Sequence, residues 1–230
     1  MKRKELQKER EDWRRQEFRR CILRAAEKVI VRKGYGAMTM DDVAREAQFS
    51  KATLYNYYGS KAELPLEILG NFFEEIDQGV RKINRLRVSA REKLKKGISF
   101  YLRFNEEKEN ISRMLIMDWP FTEKMNISGA DESKLSSEVC RRFITKMKTK
   151  RKDILNGAAE TLEEGIASGE FRKMDVTAAV TFLESLLQGY WHVRFWHDKP
   201  YSVKEAANII HGFFLQGIEK REGPAKGVSQ

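Results

Sequence analysis

At 230 residues, 41% apolar and 34% charged with only 4 Pro and 15 Gly, the chain has the composition of a globular, mostly helical protein and not of a disordered segment or a sandwich of short strands. No apolar run approaches the roughly 18 residues of a membrane span, and the basic start lacks the apolar core of a signal peptide, so the expected compartment is the cytoplasm, with no membrane partner. The net charge of +10 is unevenly placed: residues 1–63 carry 16 basic against 10 acidic side chains (+6), and the remaining 167 carry 28 against 24 (+4), which concentrates positive charge at the N-terminal end as a phosphate-binding surface would. Cys21 and Cys140 fall on separate predicted helices, and two reduced thiols are expected.

Residues 2–20 hold nine basic and five acidic side chains with no Gly or Pro, and two readings stay open: a solvated extension of the first helix, or a basic arm that tracks a duplex backbone or enters its minor groove. Trp13 has no role in either. From Phe18 the pattern sharpens, with Ile22, Ala25, Ala26, Val29 and Ile30 at helical spacing and Gly34 and Gly36 as stops.

The next stretch, TMDDVAREAQFSKATLYNYYGSK from Thr39 to Lys61, predicts two short capped helices around a tight turn, a helix-turn-helix. Thr39 is placed to cap a helix over Met40 to Ala47, with Asp41 and Asp42 where the helix dipole favours negative charge. Ser50 then caps a helix over Lys51 to Tyr57, and Ser60 with Glu63 makes a capping box that opens a fourth helix. Val43, Ala44, Ala47, Phe49 and Leu54 supply an inner face, which leaves Lys51, Ala52, Thr53, Tyr55, Asn56 and Tyr57 at the start and outer side of the second helix.

These residues resemble the Tet repressor (TetR-like) family, whose pattern is a Thr opening the second helix and then Leu-Tyr-x-x-Phe-x-x-Lys: here Thr39, Leu54, Tyr55, Tyr58 and Lys61. The resemblance runs from about Phe18 to Leu64 and departs at two places. Gln48 stands at the turn where Gly is usual, and Pro65, read as the fifth residue of the fourth helix, should bend it. The family implies an all-α homodimeric regulator with an N-terminal three-helix DNA-binding domain (residues 1–63) and a C-terminal helical ligand-binding and dimerisation domain (residues 64–230). It also implies a repressor that binds palindromic double-stranded DNA and releases it when a small effector enters the body. Expected DNA contacts are Thr39, Tyr55, Tyr57 and Lys61 on phosphates and Lys51, Ala52, Thr53 and Asn56 on base edges, with Ser50 a cap first and a phosphate contact second.

Beyond Lys61 a long helix carries Leu64, Ile68, Phe72, Ile76 and Val80, followed by helices over Ala90 to Phe104, Glu109 to Asp118 and Ser133 to Ala167, the last with a possible bend at Gly157, and a loop over Trp119 to Asp131. The last two helices, from Asp175 through His197 and from Val203 to Lys220, are rich in apolar residues and contain Gly189, Gly212 and Gly217, each costing about 1 kcal/mol unless a neighbouring helix approaches closely. In the family such helices pair with their twofold copies, which implies a seam of Leu183, Leu187, Tyr190, Ile210, Phe213 and Phe214. Phe100, Tyr101, Phe104, Met114, Met117, Trp119, Phe143, Met147, Trp191 and Phe195 either fill the body core or line a mostly apolar or aromatic effector pocket, with His192 or Arg103 orienting a polar group. An enzyme is not expected: there is no nucleophile with a base, no Gly-rich phosphate loop, and His192 and His197 are five apart, off the i, i+4 spacing of zinc ligands. No metal or cofactor is expected. A competing reading makes the body a docking platform for a protein partner instead of a small-molecule sensor.

Overall fold

The computed structural model describes residues 2–112, 137–196 and 201–218, and side chains over 5–112, 145–194 and 201–218. Within these the secondary structure is helical: α1 (Lys2–Ala37), α2 (Met40–Ala47), α3 (Lys51–Tyr55), α4 (Glu63–Asn84), α5 (Ala90–Glu107), α6 (Ser137–Ser168), α7 (Val176–Trp196) and α8 (Val203–Ile218). Of the predicted helix from Glu109, residues 109–112 are helical. Its remainder, the loop after it with Met114, Met117 and Trp119, and the side chains of Cys140, Phe143 and Phe195 lie outside the described residues.

Among the described residues the chain divides into two units, one built from residues up to Phe72 with residues 137–145 of α6 and the other from the rest, so that the divisions fall within α4 and α6. In the first, Ile22, Ala26, Val29, Met38, Val43, Leu54, Tyr58 and Leu64 are buried and form the core of a three-helix head. Gly34, at φ 76 and ψ 158, breaks the regular α1, as its place after the apolar series predicts. Pro65 does not bend α4. The helix begins at Glu63 and not at Lys61, so Pro65 sits in the first turn, where an amide has no intrahelical acceptor to lose.

The second unit has its own core, in which Leu94, Ile98 and Leu102 of α5 pack with Leu162 of α6, Val180, Leu183, Leu187 and Trp191 of α7, and Ile210, Phe214 and Ile218 of α8. Polar groups pin the helices. Lys93, buried on α5, is held by Glu164 at 2.6 Å, and Asn84 Nδ2 donates to the Gly157 carbonyl at 2.7 Å. Gly157 is therefore a contact point and not the bend its position suggested: a Cβ there would lie 2.5 Å from Val80 Cγ1, so only glycine lets α4 come this close. Asp175 caps α7 by accepting from the Ala178 amide at 3.1 Å. Ser202 and Glu205 cap α8 reciprocally, the Glu205 amide donating to Ser202 Oγ at 3.2 Å and the Ser202 amide to Glu205 Oε2 at 2.8 Å.

Candidate nucleic-acid interface

The head presents α3, and three local devices fix how. Thr39 closes a full capping box: its hydroxyl accepts from the Asp42 amide at 3.1 Å, and Asp42 Oδ2 accepts from the Thr39 amide at 3.2 Å. Asp42 is held further by Lys33 Nζ at 2.7 Å. These bonds, Lys33 foremost and then Thr39, hold its carboxyl down at about 2, so α2 starts on a carboxylate that stays charged well into acid.

The turn comes next. Gln48 adopts φ 58, ψ 37, the left-handed conformation and the lone positive φ of a non-glycine residue among those described. The Phe49 amide then reaches back to the Ala44 carbonyl at 2.9 Å, which caps α2 and sends the chain away at an angle. Ser50 is the third device: its hydroxyl accepts from the Thr53 amide at 3.0 Å. The helix ends at Tyr55, with Asn56, still in right-handed helical conformation, as the C-cap, so Asn56 and Tyr57 occupy the turn after α3 and not the helix itself as the sequence suggested.

Lys51, Ala52, Tyr55 and Asn56 are exposed, Thr53 and Tyr57 half-buried, and Leu54 and Tyr58 face the core. Lys51 is tied to Asp41 at 2.9 Å, chiefly a hydrogen bond, which raises its pKa. The Thr53 hydroxyl lies 2.8 Å from that of Ser50, which leaves its methyl as the group to present. Tyr57 packs on Phe18, centroids 5.9 Å apart, and Phe18 on Phe49 at 5.1 Å. Tyr58 lies under the Arg19 guanidinium, 4.7 Å from ring centroid to Cζ, and Arg19 also bonds Glu67. Burial pushes the Tyr58 phenol upward. Lys61 folds over the Tyr35 ring and reaches the carbonyls of Gly36 and Met38, each at 3.4 Å, so it caps the end of α1 in the free protein.

An open cleft of about 420 Å³ runs beside α3, lined by Glu11, Arg14, Arg15, Phe18, Thr53, Asn56 and Tyr57. The arm residues among these escaped the site list drawn from the sequence. Their signal was present as a charge run, but only the helix phase shows which of its members turn toward α3.

In the body, residues put forward from sequence separate by environment. Phe104 and Trp191 are buried, Phe100, Tyr101, Met147 and Tyr190 are half-buried, and His192 and Arg103 are exposed. Phe100 stacks on Phe104 at 5.7 Å and lies where a Cβ on Gly79 would be, 2.0 Å from its Cζ, so that glycine admits the ring against α4. Burial pushes the Tyr101 phenol up to about 12. The buried cation beside the aromatic residues is Arg194, absent from the sequence reading. It lies 5.4 Å from the Trp191 ring, bonds the Tyr190 hydroxyl at 3.1 Å and pairs with Glu106 at 2.7 Å. Of the expected seam, Leu183, Leu187, Ile210 and Phe214 are buried within the chain's own core, whereas Phe213 is 69% exposed. Among the described residues no cluster of three or more His, Cys, Asp or Glu is placed to hold a metal, no helix is long and apolar enough to cross a membrane, and Cys21 is a free, exposed thiol.

Comparison with known proteins agrees with this geometry. Residues 22–68 match the model of bacterial regulatory proteins of the tetR family. The HTH-type transcriptional activator FasR of Mycolicibacterium smegmatis is 32% identical over 55% of this chain, which spans 56% of that protein. The uncharacterized HTH-type transcriptional regulator YhgD of Bacillus subtilis is 29% identical over 87% of this chain and 96% of its own. The crystal structure of FadR from B. subtilis in complex with stearoyl-CoA shares the fold, with a TM-score of 0.64 at 21% identity over 86% of this chain and 98% of that one. A capped turn that points α3 outward, a family match laid over those same residues and similarity to proteins named as transcriptional regulators lead to one conclusion: residues 22–68 form a helix-turn-helix domain of the tetR family of bacterial regulatory proteins.

Proposed function

We propose that the chain is a ligand-responsive repressor that binds a palindromic operator as a homodimer and releases it when a small, mostly apolar effector occupies the body. Residues 1–63 take the DNA-binding role and residues 64–230 the sensing and dimerisation role. The observation that carries the reading is the outward presentation of α3 between two caps. Lys51, Ala52, the Thr53 methyl and Asn56 meet base edges, because the start of a recognition helix enters the major groove. Thr39, Tyr55, Tyr57 and Lys61 position the head on phosphates; on DNA Lys51 exchanges Asp41 for a base edge and Lys61 its carbonyl partners for a phosphate.

Dimerisation is supported by a face that is left exposed among the described residues. On α7, Phe182, Leu186 and Val193 are 67%, 44% and 46% exposed, and on α8, Ile209 and Phe213 are 39% and 69% exposed. The spacing of four, three and four residues through Phe182, Leu186, Gly189 and Val193 puts them on one helix face. Gly189, Gly212 and Gly217 have no neighbour within 4 Å of where a Cβ would stand, which suits close approach by the same helices of a second copy. The seam therefore runs through Phe213 with Phe182, Leu186, Val193 and Ile209.

For the effector, the stearoyl-CoA bound by the B. subtilis FadR supports a long acyl chain as the ligand class, held among the aromatic side chains of α5 and α7. A switch from 99% to 1% DNA-competent needs a ligand preference of about 5.5 kcal/mol for the released form, and α4, whose residues belong to both units, is the element to carry it. The test is selection of duplexes from a random pool with and without stearoyl-CoA. An inverted repeat with half-site centres about 34 Å or more apart, lost on adding stearoyl-CoA, is expected. Failure to enrich any duplex removes the reading. Enrichment that acyl-CoA and an apolar library leave unchanged removes sensing and favours a protein partner on the body. FasR bears the name of an activator, so a promoter reporter decides the sign: its output rises when a repressor is deleted.

A further inference from the structure

The N-terminal half of α1 is not a plain solvated helix, because one of its faces lines the cleft beside α3. At about 100° per residue, Arg14 and Arg15 flank the line of Phe18 and Glu11 that faces the α3 cleft, and Lys8 and Arg10 border the same side. Glu5, Glu9 and Asp12 fall on the opposite side. Arg14 and Arg15 line one cleft with Thr53 and Asn56, and among the described residues neither is paired with a carboxylate. The arm thus brings two cations, with Glu11 between them, to the cleft beside the surface proposed to read DNA.

We infer that the α1 extension is a second DNA-binding element that lies along the phosphate backbone flanking the half-site, with Arg14 and Arg15 as phosphate contacts and Lys8 and Arg10 reaching further out. The inference rests on the DNA-binding role proposed for α3 and adds to it a longer footprint and a steeper salt dependence. Minor-groove entry, left open by the sequence, does not fit: the arm is helical from Lys2, and a helix about 10 Å across does not enter a groove about 6 Å wide. Phosphate contact carries no base information, so the arm strengthens binding without altering which sequence is preferred.

The test uses the full chain and the duplex enriched by the wild type, prepared as the bare site and with about one helical turn added on each side. Binding is titrated over a range of KCl for the wild type, Arg14→Gln/Arg15→Gln, Lys61→Ala and a charge-matched control, Lys95→Gln/Lys96→Gln, on exposed positions of α5. Glutamine keeps helix propensity close to that of arginine, and circular dichroism checks that the arm is intact. The arm variant is expected to flatten the slope of log K against log salt by about 1.8, two contacts at about 0.9 each, and to lose the affinity gained from the flanks. Its base preference and the behaviour of the control should match the wild type. An arm variant with wild-type slope and flank gain overturns the inference, and if Lys61→Ala still flattens the slope the α3 reading survives alone. A changed base preference with an unchanged slope also overturns it. If the wild type enriches no duplex, both readings fall together.

Discussion

Set α3 beside α7. In α3 five residues between two caps send Leu54 inward and Lys51, Ala52 and Tyr55 outward, as the sequence pattern predicts. In α7 the apolar residues spread over most of the circumference, leaving a stripe to Thr177, Thr181, Glu184, Ser185, Gln188 and His192: Val180, Leu183, Leu187 and Trp191 are buried, while Phe182, Leu186 and Val193, just as apolar, face out. The contrast bears on the two binding surfaces proposed above. A polar surface for DNA is built from side chains that solvent tolerates, so it declares itself one residue at a time. An apolar surface for a second copy is written in the same alphabet as the core, and only packing separates the two.

The sharpest test of that contrast is to substitute both sides of α7. Leu187→Ala should destabilise folding by about 2–5 kcal/mol by opening a cavity while the folded fraction stays dimeric. Phe182→Glu/Phe213→Glu should leave the subunit helical yet monomeric at micromolar concentration, with operator binding lost. Thermal denaturation and sedimentation read the two. A Leu187→Ala protein that is stable but monomeric, or a doubly substituted protein that remains a dimer, would move the seam back to the buried residues.

On α3 the expected effects are smaller and separable. Asn56→Ala should relax preference at one base pair, at about 1–3 kcal/mol. Lys61→Ala should weaken binding to every sequence and flatten the salt slope by about 0.9. Selection and salt titration of both variants would refute the division of labour if Lys61→Ala changed the preferred sequence instead.

The caps themselves come next. Thr39→Ala should lower the stability of the head by about 0.5–2 kcal/mol, seen as a lower midpoint in urea. Asp42 adds a pH signature. Its folded pKa is lowered from 3.8 to about 2, so its contribution is present in full above 3.8 and is lost as pH falls toward 2. Asp42→Asn should remove that component, and the stability gap between wild type and variant should narrow over this window. A constant gap from neutral pH down would show that Lys33 and Thr39 do not favour the ionised carboxyl.

The smallest expected effect is at the turn. Gln48→Gly should relieve a left-handed conformation that costs a non-glycine residue about 1–2 kcal/mol, less the greater freedom glycine has in the unfolded chain. A net gain under about 1 kcal/mol is expected, with α3 unmoved and operator affinity unchanged. A loss would mean that the Gln48 side chain contributes something its φ does not reveal.

The sequence by itself determined what is local. A cap acts over three residues, so Thr39, Ser50 and Asp175 announced their structure from their immediate neighbours, while the turn at Gln48 was implied by the family resemblance. Pro65 was misjudged by the shift of a helix start, because moving that start two positions, from Lys61 to Glu63, decides whether a missing amide matters. Tertiary structure alone decided everything that depends on which way a helix is turned. It put Leu183, Leu187, Ile210 and Phe214 in the core and left Phe213 outside. It made Gly79 and Gly157 sites of close approach while Gly189, Gly212 and Gly217 stand open, and it buried Arg194 against Trp191 and Glu106. The physical reason is the same in each case: a helix whose apolar surface is wider than one core takes up does not say by its own sequence which part of it is covered, and the helices whose shapes decide that lie far away along the chain.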